Sequence, residues 1–194
     1  MGPYSIIYAD PPWSFDFTQF MVSEKTNKRK SPEHHYNTMT TQDICSIPVR
    51  SWAAKNAFLC MWVYDPKLPD ALKIGEAWGF TFTTVLFRWI KTTNDQLRLL
   101  DPTPKVNFGT GYHTRSGGCE EVWLFKLGKG LPVLNRGIKK EFYSNIREHS
   151  RKPDEVPGWI TDLYGDVPRL EMFARTHRLG WDVWGNETDK FEAT

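Results

Sequence analysis

The run Tyr4-Ser5-Ile6-Ile7-Tyr8-Ala9 is almost wholly apolar and leads straight into Asp10-Pro11-Pro12-Trp13. No other stretch restricts the fold so tightly. A short continuous apolar run reads as a strand buried on both faces. Two consecutive prolines stop it, because each fixes φ and removes a backbone donor. The strand therefore ends by presenting a carboxylate, a rigid turn whose Asp10 and Pro11 carbonyls are acceptors, and an aromatic plate from Trp13. Acceptors aimed at one amino group beside a stacking ring point to chemistry on a flat, amine-bearing ring such as adenine.

The remainder of the chain alternates strands with helices. Thr40 with Asp43 three residues later resembles a capping box and opens a short helix ending near Pro48, and a second helix is expected over Ser51 to Lys55. Ala57 to Val63 reads as a fully buried strand. Leu68, Ala71, Leu72, Gly75 and Trp78 share one helical face, with Gly79 placed to end that helix. Phe80 to Ile90 and Glu121 to Phe125 are expected to pair as an antiparallel hairpin across a long polar connection. Residues 128 to 149 read as loop with short strand pieces. Helix resumes after Lys152, with Ile160, Leu163 and Tyr164 on one face, and Arg169 to Ala174 and Trp181 to Val183 read as two more strands. This pattern predicts one α/β domain over residues 1–194 with a largely parallel sheet. Ligands in such sheets bind at the carboxyl ends of the strands, where Asp10, Arg175 and Asn186 would lie.

Two segments stand outside this alternation. Ser14 to Tyr36 is polar, lacks helical period and follows the tetrapeptide directly, which suits a lid or binding element. Phe108-Gly109-Thr110-Gly111 is read as loop, since no helix follows it.

Composition excludes more than it selects. There are 25 Lys plus Arg against 23 Asp plus Glu, so net charge says little about partners. The 3 cysteines are odd in number and widely spaced, which fits a reducing compartment and a cytoplasmic location. No apolar stretch approaches the roughly 20 residues that span a bilayer, so no membrane association is expected. His34, His35, His113, Cys119 and His149 lack zinc-ligand spacing, and no metal is expected.

An exocyclic aryl amine is a poor nucleophile because its lone pair is delocalised into the ring. Hydrogen bonds from its two protons to the Asp10 side chain and the Pro11 carbonyl would favour a pyramidal nitrogen and help carry the positive charge that develops as a methyl group arrives. Trp13 would stack on the base, a contact worth about 1–3 kcal/mol in single-strand binders, and a base in a duplex must first be flipped out.

Five blocks then occur in order: Tyr8-Ala9-Asp10-Pro11-Pro12-Trp13, His35-Tyr36-Asn37-Thr38-Met39, Ser150-Arg151-Lys152-Pro153-Asp154-Glu155, Leu170-Glu171-Met172-Phe173-Ala174-Arg175 and Gly180-Trp181-Asp182-Val183-Trp184-Gly185-Asn186-Glu187. From Tyr4 to Glu187 the chain resembles the DPPW-type adenine-N6 methyltransferases, the family that includes the catalytic subunit of the eukaryotic messenger-RNA adenosine methyltransferase and many prokaryotic and phage proteins. The resemblance implies a Rossmann-like methyltransferase fold with permuted motif order, the catalytic tetrapeptide first and the S-adenosylmethionine site largely from the C-terminal third. It implies cofactor contacts from Lys152, Phe173, Arg175, His177, Asn186 and Glu187. Lys152 and Arg175 would suit the methionine carboxylate or the cofactor's surroundings, and Asn186 and Glu187 the ribose hydroxyls. Tyr36 resembles the aromatic residue of the family's first active-site loop, and Glu120 an acidic residue near the substrate base. Lys28, Arg29, Lys30, Lys91 and Arg115 are candidate phosphate contacts. One departure is Arg178, which stands where some relatives carry a polar amide.

The expected reaction is S-adenosylmethionine-dependent methyl transfer to adenine N6 in DNA, by a monomer or homodimer. RNA as the polymer, and a catalytically silent nucleic-acid-binding partner, are the alternatives.

Overall fold

A computed structural model describes residues 1–14, 38–93, 118–148 and 151–190. Along the chain the described elements are β1 (Tyr4–Ala9), α1 (Thr41–Cys45), α2 (Val49–Trp52), β2 (Ala53–Val63), α3 (Leu68–Ala77), β3 (Thr81–Thr92), β4 (Cys119–Leu127), β5 (Glu141–Asn145), α4 (Glu155–Tyr164), β6 (Arg169–Met172) and β7 (Asp182–Trp184). The strands form one sheet in the order β5-β3-β4-β2-β1-β6-β7. Parallel pairing joins β1 to β2 and β6, β6 to β7, and β3 to β5. Among the described strands only β4 runs against the others, pairing antiparallel with β2 and β3. The fold is thus α/β with a mostly parallel sheet and an antiparallel hairpin, as the alternation predicts.

Period-two side-chain alternation divides the core between the two faces of the sheet. Ile7, Ala9, Leu59, Met61, Phe125, Leu170 and Met172 lie on one face with Ile44, Val49, Ala71, Ile74 and Trp78 from α1, α2 and α3. Ile6, Tyr8, Cys60, Trp62, Val122 and Leu124 lie on the other with Val156, Ile160, Leu163 and Tyr164 of α4. Burial of each large aliphatic side chain contributes about 1.5–3 kcal/mol. Covering both faces is what lets β1 and β2 be apolar at nearly every position.

Local chemistry sets the helix ends. Thr40 Oγ1 accepts from the Asp43 backbone N–H at 3.1 Å and donates to Asp43 Oδ2 at 2.7 Å, so the expected cap is present. Gly79 follows α3 with φ of +81°, a conformation that favours glycine. The Trp78 indole N–H donates to the Ile44 carbonyl at 3.0 Å, fastening the end of α3 to α1. In α4, Pro157 is the third residue, within the first turn, where a backbone N–H would have no intrahelical partner.

Two expectations are corrected. The second helix covers Val49–Trp52, and Ala53 to Lys55 already belong to β2. Tyr4 pairs with Ala53, so a long-range contact extends the strand beyond its apolar run. On α3, Ile74 faces inward, whereas Leu72 is 46% exposed. The expected lid, apart from Ser14, and the Phe108 to Gly111 loop lie outside the described residues.

Candidate active site

Register brings the predicted site together at one edge of the sheet. Ala9 pairs with Met172, and Met172 with Trp184. The next residues, Asp10, Phe173 and Gly185, therefore leave three neighbouring strands side by side. With strands about 4.8 Å apart, the outer two backbones are separated by about 10 Å. Ala9 also pairs with Met61, placing Trp62 beside Asp10. Because β4 is antiparallel, its first residues reach this same edge, and Glu120 pairs with Trp89 there.

Four charged side chains meet on the α4 face of this edge. Lys152, just before α4, places Nζ 3.0 Å from Asp10 Oδ1 and 3.1 Å from Glu120 Oε2. The other Glu120 oxygen accepts from Lys91 Nζ at 2.5 Å. Lys152 Nζ also lies 5.7 Å from the centre of the Trp62 ring, and Lys91 Nζ lies 5.0 Å from that of Trp89. Burial alone would raise the Glu120 carboxyl, but Lys152 and Lys91 outweigh it and hold the group below its ordinary range. For Lys152 burial works against the ammonium, yet Asp10 and Glu120 raise it well above the ordinary lysine value. The Lys152 ammonium thus lies between the Asp10 and Glu120 side chains.

The tetrapeptide turn is tightly tied. The Trp13 N–H donates to the Pro11 carbonyl at 2.9 Å, and the Met39 N–H donates to the Pro12 carbonyl at 2.8 Å. A carbonyl oxygen has two lone pairs, so the Pro11 carbonyl retains accepting capacity after its bond to Trp13. Trp13 itself corrects an expectation. Its side chain is 6% exposed and packs in the core cluster that contains Ile44, Met61 and Met172, so the indole is a wall of the core instead of an open stacking plate.

A second group lies beyond β6 and β7. Arg175 Nε is 3.8 Å from Glu187 Oε2, Lys190 Nζ is 2.9 Å from the same oxygen, and His177 Nε2 is 3.3 Å from Asp189 Oδ1. Asn186 is exposed. Phe173 has φ of +59° and packs edge-on against Trp184 at 5.4 Å. A non-glycine residue held there costs on the order of 1 kcal/mol, and such residues cluster at functional sites. At Gly185 an added Cβ would lie 2.9 Å from Ala174 N and 3.0 Å from its carbonyl oxygen, so only glycine permits this approach of β7 to the end of β6.

The structure thus unites Asp10, Glu120 and Lys152, and groups Phe173, Arg175, His177 and Glu187 by the neighbouring strand ends. Lys152, expected at the methionine carboxylate or the cofactor's surroundings, pairs with Asp10 and Glu120, and Lys91, a candidate phosphate contact, pairs with Glu120. Tyr36, Lys28, Arg29, Lys30 and Arg115 lie outside the described residues.

Sequence reasoning missed a second ionic group beneath the edge. Arg178 Nε is 3.1 Å from Glu171 Oε2, and its Nη2 is 2.9 Å from Asp154 Oδ1. Asp154 also binds Arg147, and Arg151 at 3.0 Å. Burial pushes the Glu171 carboxyl up to about 7 even though Arg178 opposes it. The available signal was a lone acid between the apolar residues Leu170 and Met172.

The MT-A70 family model matches residues 4–187. Type II methyltransferase M.MunI from Mycoplasma sp is 30% identical over 195 residues, covering 95% of this chain and 77% of that protein. The N(6)-adenosine-methyltransferase MT-A70-like protein of Arabidopsis thaliana is 27% identical over 190 residues, covering 96% of this chain and 24% of that protein. The human N(6)-adenosine-methyltransferase catalytic subunit METTL3 is 27% identical over 195 residues, covering 97% of this chain and 29% of that protein. The chain therefore spans 24% and 29% of the length of these two adenosine relatives.

Proposed function

Since the chain belongs to the MT-A70 family, a methyltransferase family whose methyl donor is S-adenosylmethionine, we propose that it methylates the exocyclic N6 of adenine in DNA. The observation that carries this reading is the Asp10 carboxylate at the end of β1, fixed through Oδ1 by Lys152 next to the Pro11 carbonyl. We assign Asp10 Oδ2 and the Pro11 carbonyl to the two protons of the amine. Both acceptors are preorganised, one by an ion pair and the other by a proline turn, so little reorganisation is needed as positive charge grows on nitrogen. Lys152 and Lys91 balance the two carboxylates, leaving the amine as the one further group that acquires charge.

The residues beyond β6 and β7 suit the methyl donor chemically. Arg175 offers a guanidinium to a carboxylate, Asn186 and Glu187 offer acceptors to hydroxyls, and Phe173 and Trp184 offer apolar faces. When bound, S-adenosylmethionine supplies an electrophilic methyl group. The side-by-side strand ends hold that donor region and Asp10 about two strand spacings apart, which gives the proximity that a direct displacement needs.

The choice of DNA follows the higher identity, 30% to the Type II methyltransferase against 27% to the adenosine relatives. Incubation of the protein with methyl-labelled donor and matched adenine-containing DNA and RNA strands tests it. Label in DNA, recovered as N6-methyladenine, is expected. Label in RNA alone would refute the choice of polymer, and label on another base would refute the chemistry.

A further inference from the structure

Arg178 is not accounted for by the reaction, although it sits in the β6–β7 connection that carries Arg175 and His177. Its side chain is 13% exposed and turns inward to two carboxylates from different parts of the fold. Glu171 belongs to β6, pairs with Tyr8 of β1, and precedes the strained Phe173 by two residues. Asp154 immediately precedes α4 and follows Lys152 by two residues. The far end of the same connection is pinned separately: Arg169 Nε donates to the Gly180 carbonyl at 3.1 Å, Arg169 Nη1 donates to the Gly165 carbonyl at 3.2 Å, and its guanidinium lies 5.5 Å from the Trp181 ring.

We propose that Arg178 is a positioning residue for the methyl-donor site, tying the β6–β7 connection to the segment that presents Lys152 so that the two halves of the site are held as one body. This rests on the methyl-donor reading given above. A planar guanidinium suits the task because its fork reaches two carboxylates at once, which a lysine ammonium on a single point does less well. Without the bridge, residues 173–181 would spend part of the time out of register with Lys152. Apparent affinity falls in proportion to the fraction in register, so one-tenth occupancy of the competent arrangement weakens binding tenfold.

The test uses the full chain. S-adenosylmethionine and S-adenosylhomocysteine binding is measured by calorimetry for wild type, Arg178→Ala, Arg178→Lys and Glu171→Gln, alongside melting temperature, kcat at saturating donor, and hydrogen exchange of residues 173–181 in the ligand-free protein. Arg178→Ala is expected to weaken both ligands tenfold or more, to speed exchange across residues 173–181, and to change kcat by less than threefold. Arg178→Lys should recover part of the affinity. Wild-type affinity in Arg178→Ala would overturn the proposal. So would a loss of kcat in step with melting temperature, because that would mark general destabilisation. Should Arg178→Ala fail to fold, the Arg178→Lys and Glu171→Gln variants decide, and wild-type affinity in both overturns the proposal. Absence of binding by the wild type would overturn the methyl-donor reading itself, and this inference with it.

Discussion

Replacing Lys152 with Met tests the charge cluster most sharply. The substitution keeps most of the side-chain volume and removes the ammonium that lies 3.0 Å from Asp10 and 3.1 Å from Glu120. The three side chains are 15%, 22% and 18% exposed respectively, so water reaches the abandoned carboxylates poorly. Removing one partner of a buried pair costs about 3–5 kcal/mol, and the remaining exposure together with Lys91 places this case near the lower end, about 3 kcal/mol. For a chain of this size that lowers the melting temperature by roughly 6–12 °C. The sign with pH follows from Glu120, whose carboxyl is held below its ordinary range by Lys152 first and Lys91 second against burial. Its contribution to stability is present above the ordinary glutamate range and lost as pH falls through the lowered value. The difference between wild type and Lys152→Met should therefore be largest near pH 7.5 and shrink toward pH 4, in urea unfolding followed by tryptophan fluorescence. Adding Glu120→Gln to Lys152→Met should restore about 1 kcal/mol or more, since a neutral amide needs no cation. Full stability of Lys152→Met at pH 7.5, or a loss unchanged at pH 4 and in the double variant, would show that Lys152 does not stabilise the two carboxylates.

Other consequences concern the buried acid and the close strand ends. Glu171 is raised from 4.5 to about 7, so the folded state holds a proton that the unfolded state has released between those values. This contribution is fully present below pH 4.5 and is lost as pH rises toward 7, by roughly 3 kcal/mol. Glu171→Gln should flatten that part of the stability profile in urea titrations, and an unchanged slope would contradict the assignment. Gly185→Ala would set a methyl group 2.9 Å from Ala174 N. Overpacking of this kind costs about 1–3 kcal/mol, and calorimetry should show weaker S-adenosylmethionine binding with a lowered melting temperature; wild-type values of both would show that the strand ends have room.

Where local chemistry dominates, the fold was legible in the sequence. The β1 run and its proline stop, the Thr40 cap, Gly79 after α3 and the β3–β4 hairpin all depend on residues close together or on simple periodicity. Ala53 to Lys55 were misread because their strand character comes from pairing with Tyr4, a partner far along the chain. The strand-end rule placed Asp10, Arg175 and Asn186 at this edge, whereas the roles of Lys152, Phe173, His177 and Glu187 came from the family resemblance. The direction of individual side chains was not legible. Trp13 and Trp62 are both buried, yet one packs beside Ile44 on one face of the sheet and the other lies on the opposite face beneath Lys152. Nor does a sequence pattern say that Lys152 and Lys91 converge on Glu120, or that Arg178 turns inward to Glu171, because those contacts arise only when β1, β4, β6 and the start of α4 meet.

In the proposed reaction Asp10 grips the amine of an adenine while a methyl group is transferred to it. Nucleoside analysis of DNA from cells expressing either wild type or Asp10→Ala, with S-adenosylmethionine affinity measured on both purified proteins, tests this role. The wild type should yield N6-methyladenine and Asp10→Ala at least a hundredfold less, in line with the loss of one preorganised transition-state contact, with donor affinity retained within about tenfold. Equal N6-methyladenine from both proteins, or none from a wild type that binds the donor, would contradict it.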